Sequence, residues 1–152
     1  MNPASQELIN ALVQAFGNMS KADWRKTTRW GVKSSEIRLL LTIRERYDQQ
    51  PDKAVTVSEL SKTLQVTSPT VTQIVNGLIK GGYIRRSAHP EDRRISEITL
   101  TEQGDRLARQ AAADIQTIIG GLVEHLGAER SALLASLLNE AHAYLKASRP
   151  PS

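Results

Sequence analysis

A chain of 152 residues, 39% of them hydrophobic, is long enough to form one domain with a buried core. It has no cysteine, which excludes disulfides, thiolate metal sites and thiol-based redox sensing, and no run of residues approaches the roughly 20 apolar residues that span a membrane. We therefore expect a soluble, cytoplasmic protein without a membrane partner, and the net charge of +4 modestly favours a polyanionic partner.

The N-terminal third of the chain predicts two amphipathic helices. The first runs from about Asn2 to the mid-twenties, and the sequence does not define where it ends because Gly17 and Asn18 interrupt it. The second begins with Ser34 as its N-cap, and a polar loop at 48–53 follows it. Their predicted apolar stripes are Leu8, Ile9, Leu12, Val13 and Phe16 in the first helix and Ile37, Leu40, Leu41 and Tyr47 in the second.

Two short helices follow in close succession. Thr56 and Glu59 have the spacing of a capping box, which predicts the start of the first. Thr67 is the N-cap of the second, with Pro69 in its first turn, and glycines 81–82 end it with a left-handed cap. The predicted core positions of this second helix are Val71, Ile74, Val75, Leu78 and Ile79.

The remainder predicts a hairpin and two long helices. Residues 83–86 and 95–100 are strand-like, and the polar residues 87–94 between them form the hairpin loop. Thr101 caps a helix that continues to about Leu126, and a last helix runs from about Ala128 to Lys146. The predicted fold class is mainly α with a small β-hairpin.

Two short helices joined by a turn at 65–68 and followed by a hairpin with a basic tip form the layout of a winged helix-turn-helix. At about 100° per residue, the second helix of this unit turns a neutral, amide-rich face away from its apolar side. Thr, Gln and Asn can exchange hydrogen bonds with base edges, and a helix N-terminus suits a phosphate. A small polar helix within a bundle is the alternative. The outward positions are Pro69, Gln73, Asn76, Gly77 and Lys80, flanked by Thr70 and Thr72.

Three stretches carry a family resemblance. Leu60-Ser61-Lys62-Thr63-Leu64 and the run from Thr67 to Leu78, followed by Gly82-Tyr83-Ile84, resemble the DNA-reading unit of the MarR family of transcription regulators. Pro90-Glu91-Asp92-Arg93-Arg94, followed by Ile98-Thr99-Leu100-Thr101-Glu102-Gln103-Gly104, resembles that family's wing and the start of its next helix. The resemblance extends from about Ser34 to Leu145.

The resemblance implies a bacterial regulator whose recognition helix and wing contact double-stranded DNA. Arg94, with Arg93, reaches a minor groove, and Asp92 holds Arg94 in orientation. The alternative for Asp92 and Arg94 is a surface ion pair of little energetic weight. Gln73 stands where the family often has an arginine, so specificity cannot be transferred from a relative. The predicted DNA-binding residues are Ser34, Thr67, Ser68, Pro69, Thr70, Thr72, Gln73, Asn76, Lys80, Asp92, Arg93 and Arg94.

We predict a single MarR-like domain over 1–152, with a winged helix-turn-helix DNA-binding lobe at 34–100. Residues 1–30 and 101–147 form a helical dimerisation lobe, because their long apolar stripes exceed what a small DNA-binding lobe can cover. An ordinary three-helix core within one chain is the alternative. The predicted homodimer interface consists of Leu8, Leu12, Phe16, Leu133, Leu137, Leu138 and Leu145.

The function implied is a repressor that reads pseudo-palindromic operators and is released by a small ligand. Trp24, Arg25, Arg29 and Trp30 lie where the resembled family keeps its ligand pocket. Two indoles beside guanidinium groups would suit an aromatic acid or phenolic ligand. The alternative is that the tryptophans are core anchors and the arginines contact phosphates.

Two other classes of function are alternatives. His125 and His142 could converge with Glu124 or Glu140 on zinc in a metal-responsive regulator of the same fold, although the prediction is that there is no metal or cofactor. The second alternative function is that of a helical protein-interaction module that does not bind DNA. The sequence has no catalytic motif, and we predict that the protein is not an enzyme.

Overall fold

The computed structural model describes residues 2–22 and 30–148, and these ranges contain six helices and three strands. The predicted mainly α fold class with a small sheet is confirmed. The described residues form two compact units, one up to residue 111 and one from residue 112, and α5 contributes to both. In chain order the elements are α1 (Pro3–Lys21), α2 (Ser34–Gln49), β1 (Val55–Thr56), α3 (Val57–Leu64), α4 (Ser68–Lys80), β2 (Ile84–Ala88), β3 (Ser96–Leu100), α5 (Glu102–Leu126) and α6 (Ala128–Ala147).

The strands form one antiparallel sheet in the order β1-β3-β2. Ile98 of the central strand pairs with Val55 on one side and Arg86 on the other. The β2–β3 hairpin confirms the prediction, but β2 lies one to two residues later than predicted, since its pairing with β3 continues as far as Ala88 opposite Ser96. Strand β1 was not predicted, because two residues are too few to show an alternating pattern.

One hydrophobic core joins α2, α3, α4, the three strands and the start of α5 within the first unit. Helix α2 contacts α3, α4 and β3, so it buries a wider face than a single stripe, and Leu39 and Ile43 are fully buried although neither was predicted. Ile79 was predicted to be buried and is 37% exposed, because its neighbour Leu78 takes the inward position at the end of α4. The core consists of Leu39, Leu40, Ile43, Val55, Leu60, Leu64, Val71, Val75, Leu78, Ile84, Ile98 and Ala108.

The start of α2 differs from the prediction. Ser34 is its first helical residue, and the N-cap is Lys33, whose backbone is extended (ψ 155°). The Lys33 N–H donates to Oε1 of Glu36 at 2.9 Å, so a carboxylate three residues on replaces the predicted serine cap. The helix ends at Gln49, which places the first two residues of the predicted 48–53 loop inside it.

The predicted capping box at the start of α3 forms only in half. Thr56 is the N-cap and its hydroxyl accepts a hydrogen bond from the Glu59 N–H at 3.2 Å. The Glu59 carboxylate does not return to Thr56; one of its oxygens pairs with Arg46 of α2 and, at 3.3 Å, with Lys53. The second half of the prediction is wrong because two cations compete for this carboxylate.

Both predicted caps of α4 are confirmed. The Thr67 hydroxyl accepts from the Thr70 N–H at 3.3 Å. At the other end the Gly82 and Tyr83 N–H groups donate to the carbonyls of Ile79 and Leu78, both at 3.0 Å, which is a Schellman motif. Gly82 is the left-handed residue of this motif, with φ +80°.

The start of α5 is tied to the residues that end α4. The Thr101 hydroxyl accepts from the Gly104 N–H at 3.1 Å, which confirms the predicted cap, and it donates to the Gly82 carbonyl at 2.7 Å. The Thr101 N–H donates to the Tyr83 carbonyl at 3.0 Å. These bonds fix the base of the hairpin between α4 and α5.

Helix α1 continues through Gly17 and ends at Lys21, so the predicted interruption is wrong and the helix ends before the mid-twenties. A single glycine lowers helix stability by about 1 kcal/mol and does not break a helix. No residue of α1 is buried.

The second unit contains the end of α5 and all of α6, whose predicted boundaries hold to within one residue. No residue of α6 is buried. None of the helices in the described ranges is long and apolar enough to cross a membrane.

Candidate DNA-binding surface

Helix α4, the predicted recognition helix, is anchored along one side and open along the other. Val71, Val75 and Leu78 are fully buried against the core. The predicted DNA-contacting residues lie on the opposite side, where all but the half-buried Thr72 are exposed: Thr67, Ser68, Pro69, Thr70, Gln73, Asn76 and Lys80. The exposed surface is therefore hydroxyl- and amide-rich, with one cation at its end.

The N-terminus of α4 offers fewer free amides than the sequence suggested. Pro69 has no N–H, and the N–H groups of Thr70 and Val71 donate to the Thr67 hydroxyl and carbonyl. The amides of Thr67 and Ser68 are the donors at this end that have no acceptor within the described structure. Recognition of a phosphate here needs side-chain donors in addition.

The first turn of α2 lies against the middle of α4. A Cβ atom built on Gly77 would stand 3.0 Å from Oε2 of Glu36. Ser34, which was predicted to contact DNA, is exposed two residues before Glu36, so it lies on the turn that borders α4.

The hairpin between β2 and β3 presents an ordered arginine. Asp92 accepts three hydrogen bonds from Arg94: from its backbone N–H at 3.0 Å, from Nε at 3.1 Å and from Nη2 at 3.2 Å. These bonds hold the pKa of the Asp92 carboxyl below its usual range. The Arg94 side chain is nevertheless 91% exposed, and Arg93 beside it is also exposed, so both guanidinium groups can reach a ligand.

An open groove of about 350 Å³ connects the recognition helix to this hairpin. Thr72 of α4 and Arg94 of the hairpin line it together, so the structure brings two predicted site residues to one surface. Arg86 of β2 also lines it and was missed. The adjacent arginines 85–86 were a visible signal, but only the strand register shows which of the two faces the groove. The other lining residues are Thr56, Val57, Ser58, Ile95 and Ser96.

The hairpin is positioned from the core side by Tyr47. Its hydroxyl donates to the Ile98 carbonyl at 3.1 Å, which ties α2 to the central strand. Burial raises the pKa of this phenol, so it stays a neutral donor. Together with the Thr101 hydrogen bonds, this contact fixes the base of the hairpin to the core.

The other predicted sites are placed as follows. The predicted ligand-binding residues Trp24, Arg25 and Arg29 lie outside the described residues, and Trp30 is half-buried. For the metal alternative, the described ranges hold no group of three or more His, Cys, Asp or Glu side chains that could bind an ion.

The predicted interface residues are exposed in both units. In the first unit Leu8, Leu12 and Phe16 of α1 are 67%, 58% and 46% exposed. In the second unit the corresponding residues of α6 are all more than half exposed: Leu133, Leu137, Leu138 and Leu145. Each helix therefore presents apolar side chains that its own unit leaves uncovered.

Comparison with known proteins identifies the fold. Residues 30–95 match a family model described as the MarR family. A crystal structure of S. aureus MepR bound to DNA has a TM-score of 0.74 with 20% identity, over 90% of this chain and 97% of that one. Streptococcus pneumoniae FabT in complex with DNA has a TM-score of 0.71 with 24% identity, over 95% of this chain and 99% of that one. These likenesses show a winged-helix fold of this family's type.

A curated relative agrees with the structural comparison. The HTH-type transcriptional repressor YetL of Bacillus subtilis is 24% identical over 110 residues, which is 72% of this chain and 64% of that protein. This chain thus spans less than two thirds of the length of that relative.

Proposed function

We propose that the chain is a transcription regulator of the MarR type, because its residues 30–95 match that family's model, and that it binds specific double-stranded DNA sequences as a homodimer. The observation that carries this proposal is the groove in which Thr72 of the recognition helix faces Arg86 and Arg94 of the hairpin. The relative named above is a transcriptional repressor, so we propose a regulatory function and no catalytic one.

Base readout is assigned to α4. Its buried face fixes the helix, and its exposed face presents hydroxyls and amides that match the donor and acceptor patterns of base edges in a major groove. An ordinary solvent-facing helix would carry more Glu and Lys at these positions. Gln73 and Asn76 are three residues apart and therefore lie on the same face of the helix, so both can contact bases in the same groove.

The wing contact is assigned to Arg94. Asp92 restricts its guanidinium without burying it, so less conformational entropy is lost when it enters a minor groove. A narrow minor groove carries an enhanced negative potential that favours an inserted arginine. Arg93 and Arg86 add positive charge on the same hairpin.

Dimerisation is proposed from the uncovered apolar side chains. Exposed apolar residues recur at helical spacing on α1 and on α6, and soluble monomers rarely expose such contiguous patches. A second copy of the chain would place two recognition helices about one turn of DNA (~34–36 Å) apart, which predicts a pseudo-palindromic site.

The direction of regulation follows the named relative, and we propose repression. Release by an aromatic acid or phenolic ligand remains a prediction at Trp24, Arg25, Arg29 and Trp30. Titration of salicylate with tryptophan fluorescence and operator release as readouts tests it. A saturable change that Arg25→Ala and Arg29→Ala abolish supports this site.

The proposal as a whole is tested by selecting bound duplexes from a random-sequence library. We expect one enriched pseudo-palindromic motif, and an affinity that falls steeply with salt because Lys and Arg release counterions from phosphates. Failure to enrich any motif, with binding no tighter than to random duplex, would contradict specific recognition.

Arg94→Ala is expected to weaken binding to every selected sequence by about tenfold and to reduce the slope of log K against log salt by about one. The reason is the loss of one cation that releases counterions at the wing. Gel-shift titration at several salt concentrations measures both quantities. Arg130→Ala removes the same charge from an exposed position on α6 and serves as the control. Equal behaviour of the two variants would contradict the wing assignment.

Gln73→Ala and Asn76→Ala are expected to relax the preference at particular base pairs, by about 1–3 kcal/mol for each bidentate hydrogen-bonding interaction with a base that the substitution removes. Competition among single-base variants of the selected operator measures this decrease position by position. Asn139→Ala removes an exposed amide from α6 and should leave the preference unchanged. If both α4 variants discriminate as the parent does, α4 is not the recognition helix.

A further inference from the structure

The turn between α3 and α4 contains a non-glycine residue in a left-handed conformation. Gln65 has φ +55°, the single positive φ outside glycine in the described ranges. Its N–H donates to the Lys62 carbonyl at 3.3 Å and the Val66 N–H to the Ser61 carbonyl at 3.2 Å, which is a Schellman motif. The same motif at the end of α4 has glycine, Gly82, in the equivalent position. Glycine is the usual residue here because a Cβ atom disfavours this conformation.

The backbone of the turn holds Gln65 in this conformation, but its side chain contributes no hydrogen bond to the turn. Its side chain is exposed, and the amide makes no hydrogen bond to any residue within 2–22 and 30–148. A side chain kept in a disfavoured conformation without an internal partner points to a role outside the fold.

Gln65 lies on the turn that leads into the recognition helix. The turn's own backbone amides at 65 and 66 are occupied by the Schellman motif, which leaves the amides of Thr67 and Ser68 as the backbone donors at this end of α4. Arg38 of α2 donates from Nη2 to the Leu64 carbonyl at 3.3 Å, so a cation lies beside the turn. In helix-turn-helix proteins the first helix crosses the DNA backbone, and the turn that follows it lies close to that backbone.

We propose that the Gln65 side-chain amide donates a hydrogen bond to a phosphate of the operator and thereby positions α4 in its groove. This inference rests on the proposed function. Glutamine is a regular donor to phosphate oxygens and carries no charge, so its contact adds affinity at every sequence without releasing a counterion.

Three variants of the full-length protein test the proposal against the operator duplex selected for the parent. Gln65→Ala removes the amide and keeps the backbone restriction, and Gln65→Gly removes both. Gln65→Lys replaces the amide by a cation of similar reach. Thermal unfolding by circular dichroism is followed beside gel-shift titrations at several salt concentrations.

We expect Gln65→Ala and Gln65→Gly to lose about three- to tenfold in affinity for all sequences alike, with an unchanged salt slope. Gln65→Gly should unfold at a temperature equal to or above that of the parent, because it relieves the strain. Gln65→Lys should steepen the salt slope by about one.

Parental affinity in both the alanine and the glycine variants would overturn the proposal. A decrease in the glycine variant alone would assign the effect to backbone freedom and overturn it too, as would a decrease confined to particular base pairs. If the parent itself selects no operator, the proposed function fails; if the parent binds and these variants bind equally well, only the inference fails.

Discussion

Gly104→Ala is expected to lower the free energy of unfolding of the first unit by about 3 kcal/mol or more. Operator binding should be lost at temperatures where the β2–β3 hairpin of the variant is unfolded. A Cβ atom at this position would stand 1.9 Å from the Tyr83 carbonyl oxygen and 2.9 Å from its carbon. Both are backbone atoms, so no side-chain rotation relieves the clash. The Tyr83 carbonyl also accepts the Thr101 N–H, so moving it breaks the bond that fixes the base of the hairpin.

Thermal unfolding measures this effect. For a chain of this size, 3 kcal/mol corresponds to a decrease in Tm of about 6–12 °C. Gly120→Ala is the matched control on the same helix: an added Cβ meets no atom within 4 Å, and position 120 lies opposite the apolar stripe of α5. Alanine there should raise stability by about 0.5–1 kcal/mol through helix propensity. Similar Tm values for the two variants would contradict the close approach of α5 to Tyr83.

Leu137→Glu combined with Leu138→Glu is expected to convert the proposed dimer to a monomer and to lower operator affinity by more than about a hundredfold. Both leucines are about half exposed in the single chain, at 53% and 52%. Glutamate at these positions therefore stays hydrated in a monomer, and its helix propensity is close to that of leucine. In the proposed dimer the same carboxylates would lose water without gaining partners, at a cost of several kcal/mol.

Sedimentation at micromolar concentration measures the assembly, and circular dichroism checks that helix content is retained. Asn139→Glu adds one such carboxylate on the opposite face of α6 and should sediment as the parent does. A double variant that sediments as a dimer and binds the operator with parental affinity would place the interface elsewhere. A parent that sediments as a folded monomer and still binds the operator would contradict dimerisation itself.

Apart from the N-cap of α2, which is Lys33 and not the predicted Ser34, features that depend on neighbours in the chain were predictable from the sequence. Thr67 and Thr101 cap their helices through amides three residues away, and Asp92 orients Arg94 two residues away. The buried side of α4 follows from its 3.6-residue periodicity, apart from Ile79 at its end. These interactions form within one or two turns, so residue type and spacing specify them.

The family motifs also contain residues whose position is visible in the sequence but whose physical cause is not. The glycine of the Thr-Glu-x-Gly run at the start of α5 is visible in the sequence as part of a resemblance. Its physical cause is the backbone of Tyr83, 21 positions earlier, which leaves no space for a Cβ atom at Gly104.

The features that only the tertiary structure could show depend on residues that are distant in sequence. Strand β1 exists because Val55 and Thr56 pair with Ile98 and Glu97, and the register of that sheet turns Arg86 toward the groove with Thr72 and Arg94. Glu59 leaves its predicted cap for Arg46 because α2 packs beside α3. The spacing of residues along the chain does not specify contacts with residues distant in sequence. A carboxylate pairs with the cation that packing brings nearest, and a side chain is buried only where another element covers it.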